Sequence, residues 1–213
     1  MDALTTEQEQ IEDLRKWWAQ NGTKVLVAVV VGLAALFGTR YWMYQQDQQR
    51  IAGSVLYEAV ARALEANEAA TVMDKGALVI SQHPDTPYAA LSALAIAKVK
   101  YEQGDKASAQ TYLRWVLEHS DDPAMQHVAR LRLARVLADD GKANEALQLI
   151  EPVTPDSFAA AYDELKGDLY VALNRVDDAR RAYGQALASK EQVADRASLQ
   201  MKLDDLGAAA SAP

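Results

Sequence analysis

Few residues in this chain could take part in bond-breaking chemistry. Three histidines stand at His83, His119 and His127, and there is no cysteine. The lack of thiols excludes disulfides, thiolate nucleophiles and cysteine-held zinc or iron–sulfur sites. No histidine is spaced from a second histidine or a carboxylate as a zinc ligand set requires, and each is expected at the surface or as a helix cap. Gly104 and Gly141 are isolated, so neither belongs to a phosphate-cradling loop. The composition therefore reads as a non-enzyme, with no catalytic residue, cofactor or metal.

What remains is the chemistry of recognition. Lys98 and Arg135 are 37 residues apart, and Asp168 follows 33 later. Tyr101, Ala138 and Val171 repeat the same intervals, as do Leu94, Leu131 and Glu164. Side by side, these columns would make a groove that is basic and aromatic at one end and acidic at the other. Such a groove would hold an extended protein segment by charge and stacking. The plainer reading is a set of solvated or half-packed helix residues. Arg130 and Arg132 extend the basic patch around Arg135, and Asp139 and Asp140 are expected to balance it.

The intervals come from the elements that carry these residues. Asn67, Gly104, Gly141 and Asn174 each end one apolar-periodic helix and precede another, with spacings of 37, 37 and 33. Gly and Asn suit such turns because they tolerate the left-handed conformation that closes a helix. Five residues after each comes Val72, Ala109, Ala146 or Ala179, small or β-branched where the second helix must approach the first. A period near 34 with this pattern is the tetratricopeptide signature. Gly167, Tyr170, Tyr183 and Ala186 fill its positions in the last unit. Ala134 and Leu137 stand in for Gly and Tyr in the unit before; in the preceding one Ala97 takes the Gly position and Lys100 the Tyr position, beside Tyr101. Pro84, Pro123, Pro152 and Pro155 are expected to terminate second helices. The reading is all-α: three clear repeats, a degenerate one over residues 50–85, and a capping helix from Val193 to Leu206.

Ahead of the repeats lies Val25 to Thr39, fifteen residues without a charge. As a helix this run is about 22 Å long and needs its flanks to cross a hydrocarbon core of about 30 Å. Trp17 and Trp18 precede it and Tyr41 and Trp42 follow, which places aromatic belts about 34 Å apart. Lys24 and Arg40 sit near the two ends, where their charges can reach headgroups. A buried core helix would not need such belts. A cleavable leader fits poorly with five acids ahead of the run and no small-x-small site behind it. Met1 to Gln20 reads as a short amphipathic helix, interrupted by Asn21 and Gly22. With no flexible linker before Ile51, the span is expected to run on as a long helix.

The expected organisation is a cytoplasmic tail over 1–21, a transmembrane helix over 22–44, a repeat domain over 45–206 and a flexible tail over 207–213. From Gln45 onward, 18 Lys plus Arg oppose 25 Asp plus Glu. That acidic balance argues against nucleic-acid binding, which needs an excess of cations. Arg15, Lys16 and Lys24 on one side of the span, against Arg40 and Arg50 on the other, favour a cytoplasmic N-terminus.

The order of tail, aromatic-bordered span and repeats, with the phrases ALSALAIAKVKYEQGD and LKGDLYVALNRVDDARRAYGQAL, resembles the YfgM family of proteobacterial inner-membrane proteins. The resemblance implies a single-pass protein with a periplasmic repeat domain, acting as an ancillary subunit of the SecYEG translocon. It also implies pairing with a PpiD-like membrane-anchored chaperone and a part in passing emerging polypeptides to periplasmic chaperones. It supplies no catalytic residue. A second class of function fits the residues alone: a membrane-tethered repeat domain that binds and restrains a signalling protein.

Overall fold

The computed structural model describes residues 2–153, 156–189 and 195–209. These contain nine α-helices and one short 3₁₀ turn, with no strand among the described residues. They fall into two compact units, one through Gln49 and one from Arg50.

The first unit consists of the N-terminal part of α1 (Asp2–Glu65). An 18-residue window in α1 has a mean hydropathy of 1.9, and none of it is buried in the chain. Leu26, Val27, Val29, Val30, Val31, Leu33, Leu36 and Phe37 are all exposed and point to every side. A helix that is apolar all round suits either a protein core or a lipid bilayer, and no core covers this one. Thr39 keeps its hydroxyl satisfied within the helix by donating to the Ala35 carbonyl at 2.9 Å. The expected break at Asn21 and Gly22 does not occur. Asn21 Nδ2 donates to the Trp17 carbonyl at 3.1 Å. A Cβ on Gly22 would lie 3.2 Å from the Trp18 indole, so the ring covers the glycine. Both residues cost an interior helix only about 1 kcal/mol or less, too little to stop it.

The second unit is a stack of helical hairpins. The end of α1 pairs with α2 (Ala69–Gln82), α3 (Pro87–Glu102) with α4 (Lys106–His119), α5 (Pro123–Asp139) with α6 (Ala143–Ile150), and α7 (Ala159–Ala172) with α8 (Val176–Ala188). α9 (Arg196–Ala209) closes the stack against α8. The four intervening turns are one motif repeated. Asn67, Gly104, Gly141 and Asn174 have φ of +55°, +79°, +75° and +61°. After each, the next N–H reaches back five residues: Glu68 to Ala63, Asp105 to Lys100, Lys142 to Leu137 and Arg175 to Tyr170, at 2.8–2.9 Å. This double-bonded closure satisfies carbonyls that a helix end otherwise leaves open. Val72, Ala109, Ala146 and Ala179, at the tightest approach of each pair, have no exposed surface.

Hairpins of this kind cannot bury their apolar faces alone, and stacking supplies the shared core. One cluster joins Val60, Val72, Val79, Ile96 and Val99; a larger one runs from Ala90 through Leu133 and Ile150 to Leu169; a third joins Ala179, Tyr183, Ala186 and Leu199. Two further details differ from expectation. Pro123 begins α5, where its missing N–H is harmless, instead of ending α4. α9 continues through Ala209 where a frayed tail was expected from Gly207, in keeping with its run of alanines. Pro155 and the expected helix start at Val193 lie outside the described residues.

Candidate protein-binding groove

α3 and α5 carry the basic and apolar columns to one cavity. Leu94, Ala97, Lys98 and Tyr101 of α3 face Arg132, Arg135 and Val136 of α5, and Leu113 of α4 forms part of the lining, around about 240 Å³ of space. Helical spacing explains the set: positions three and four apart share a face, so Leu94, Ala97 and Lys98 and Tyr101 align. The wall is mostly apolar, with three cationic side chains at its rim. Tyr101 is 42% exposed, and its hydroxyl donates to Asp139 Oδ2 at 3.2 Å.

The acids expected to balance the arginines are engaged elsewhere. Asp139 pairs with Lys106 at 2.7 Å and Asp140 with Lys142 at 2.7 Å. The Lys106 hydrogen bond holds the Asp139 carboxyl below its ordinary pKa, against a smaller opposing effect of burial. Lys98 lies 3.6 Å from Glu102 one turn on, and Lys100 pairs with Asp105. Among the described residues, Arg132 and Arg135 have no carboxylate within 4 Å. Each is exposed, whereas Arg130 is half-buried.

The other end of the columns is closed. Lys202 of α9 reaches Glu164 at 3.0 Å and Asp168 at 2.8 Å, and the Tyr183 hydroxyl donates to Asp168 at 2.8 Å. Burial by itself would lower the Lys202 pKa, but its hydrogen bonds to Asp168 and Glu164 outweigh that and leave it raised. Burial, with the Asp168 hydrogen bond second, pushes the Tyr183 hydroxyl up. The acidic end expected to receive a ligand is therefore occupied by the chain itself. Leu131 lies in the core, and Val171 is exposed at 43%. Sequence reading missed Arg132 as a lining residue, along with Ala97, Leu113 and Val136; Arg132 was legible, one turn before Arg135. Lys202 carried no local signal, because its partners lie 34 and 38 residues away.

The histidines divide. His119 ends α4, stacks on Trp115 at 4.5 Å and bonds the Trp115 carbonyl, and His83 caps α2. His127, expected at the surface, is 8% exposed in the core. Its Nδ1 shares a 2.9 Å hydrogen bond with the Tyr162 hydroxyl, and its ring stacks on Phe158 at 4.9 Å. A partner from α7 lets this ring be buried without an unsatisfied nitrogen. No group of three His, Asp or Glu side chains suited to a metal occurs among the described residues.

The model of the tetratricopeptide repeat-like domain matches residues 15–208, taking in both the apolar helix and the hairpins. The ancillary SecYEG translocon subunit of Haemophilus influenzae is 30% identical over 200 residues, covering 94% of this chain and 97% of that protein. The chain belongs to the YfgM family. The protein of the same name from Neisseria gonorrhoeae is 31% identical over 210 residues, covering 97% of this chain and all of its own length. That from Escherichia coli is 26% identical over 206 residues, with 97% and 99% covered. This YfgM-family chain thus has an all-helical repeat domain preceded by a helix apolar and long enough to cross a membrane.

Proposed function

We propose that this protein is a membrane-anchored scaffold of the Sec translocon, with α1 crossing the inner membrane and the repeat domain in the periplasm. One observation carries the reading: relatives named as ancillary SecYEG translocon subunits match from end to end, span and repeats together. In that place the domain pairs with a PpiD-like chaperone and helps pass emerging polypeptides to periplasmic chaperones. The tetratricopeptide stack supports a binding role, because concave helical repeats present aligned side chains to an extended surface. The groove between α3 and α5 offers that surface an apolar recess with cationic side chains beside it.

Two experiments test this. Crosslinking in native membranes followed by mass spectrometry is expected to link the repeat domain to SecYEG and to a chaperone of the PpiD type. Links to neither would remove the Sec reading. Protease added to intact spheroplasts is expected to digest the repeat domain; protection until lysis would place it in the cytoplasm and favour a regulatory tether instead.

A further inference from the structure

The groove between α3 and α5 has a chemistry narrower than general polypeptide binding. Its cavity, about 240 Å³, is below the range of about 300–1,000 Å³ typical of small-molecule sites, and it suits a single large side chain. The lining is apolar where Leu94, Ala97, Leu113 and Val136 meet, so the side chain that enters must be apolar or aromatic. The rim is different. Arg132 and Arg135 stand free of carboxylates in a chain whose net charge is −8, while nearby Asp139 and Asp140 are neutralised by Lys106 and Lys142. Two guanidiniums that meet no acid among the described residues of so acidic a protein leave a local positive field. Guanidinium is also the group best shaped to bind a carboxylate through two parallel hydrogen bonds. At the far end of the same register, Lys202 already sits on Glu164 and Asp168, so a basic ligand has no open acidic wall to meet.

Resting on the Sec-scaffold reading, we infer that the α3–α5 groove binds an acidic protein segment. The segment seats one large apolar side chain among Leu94, Leu113 and Val136 and places carboxylates on Arg132 and Arg135. The occupant is a segment of another protein. A nucleic acid is opposed by the net charge, and a lipid headgroup alone leaves the apolar cavity unfilled.

The test uses the full chain in detergent micelles and short fluorescein-labelled peptides, read by fluorescence anisotropy. One peptide carries Asp and Glu around a central Phe, a second replaces that Phe by Ser, and a third replaces the acids by Lys. The first is expected to bind, and the other two to bind at least about tenfold more weakly. Arg132→Glu with Arg135→Glu is expected to weaken the first peptide by about tenfold or more, with an unchanged melting temperature. Arg132→Lys with Arg135→Lys should retain part of the affinity. A photoreactive Phe analogue at the centre of the peptide is expected to attach to Leu94, Tyr101 or Val136, which maps the site without any variant. Equal binding of the lysine peptide, attachment elsewhere, or indifference to the double charge reversal would overturn the inference. So would arginine-dependent binding to phosphatidylglycerol vesicles in the absence of peptide binding. Co-isolation of the unaltered chain with SecYEG reports on the underlying reading separately. If it persists while peptide binding fails, only the groove is lost; if it fails while the peptide binds, only the Sec assignment is.

Discussion

The α3–α4 hairpin and the α7–α8 hairpin close with the same turn, yet at one matched pair of positions the first borders the apolar groove and the second is filled by an aromatic ring, the α7–α8 hairpin lining instead a polar recess beside Glu151, Lys166 and Arg181. The difference lies in one pair of residues. Seven residues before the turn, the middle hairpin has Ala97 and the last has Gly167; nine after it, they have Leu113 and Tyr183. A Cβ on Gly167 would lie 2.2 Å from the Tyr183 ring, so the aromatic face occupies the space a side chain would need. In the middle hairpin, Ala97 and Leu113 instead share the wall of the groove. The final hairpin then receives α9, whose Lys202 neutralises Glu164 and Asp168, while Arg132 and Arg135 keep their charges exposed. At this register the last hairpin is sealed by a ring laid over a glycine, and the α3–α4 hairpin, with a pair of different shape, is left open.

The sharpest way to break this contrast is Gly167→Ala. Tyr183 is buried and its hydroxyl is tied to Asp168, so its ring cannot yield easily. Urea denaturation is expected to show a loss of about 3 kcal/mol. Gly184→Ala is the control in the same hairpin, with nothing within 4 Å of the added carbon. It should stabilise by about 0.5–1 kcal/mol, as expected for an interior helical glycine. If the two variants behaved alike, the tight seal at this end would be wrong.

Next comes the bond that joins the middle of the stack to its end. Tyr162→Phe removes the hydroxyl that meets His127 Nδ1 and leaves a buried polar atom unpaired. The expected cost is about 1–3 kcal/mol by the same measurement. Third, Leu113→Tyr carries the last hairpin's residue into the middle one. The ring should fill the cavity and lower affinity for the acidic Phe-containing peptide about tenfold, or about 1.4 kcal/mol. Retained affinity would show that the cavity does not seat the ligand.

The smallest expected effect is in pH dependence. Asp139 has a lowered pKa from its Lys106 hydrogen bond, so its contribution is full above the ordinary value of 3.8 and disappears as pH falls through the lowered one. The melting-temperature difference between the unaltered chain and Asp139→Asn should therefore close in strong acid. Lys202 and Tyr183 have raised values. Their contributions are full below the ordinary 10.5 and 10.0 and are lost as pH rises beyond those values through the raised ones. In Lys202→Met the alkaline loss should be smaller.

Much of the repeat architecture was legible in the chain because it depends on local backbone chemistry. Asn67, Gly104, Gly141 and Asn174 were read as turn residues from type and spacing, and all four have positive φ. Val72, Ala109, Ala146 and Ala179 were read as close-approach positions, and all four are buried. Local chemistry also misled at Asn21 and Gly22, where a Trp17 carbonyl and a Trp18 ring let the helix continue. The groove was only partly legible. Lys98, Tyr101 and Arg135 were placed by register, but whether their charges are met depends on side chains from other hairpins.

The sequence by itself determined the repeat period, the position of every helix-closing turn between paired helices and an uncharged stretch whose aromatic flanks extend it to bilayer length. These follow from the backbone preferences of Gly and Asn, from helical periodicity and from the absence of charge over consecutive residues. Tertiary structure alone decided that His127 is buried on Tyr162, that Asp139 and Asp140 are taken by lysines, and that Lys202 closes the acidic end. Side chains brought together from distant positions compete for the same partners, and no local pattern records which of them wins.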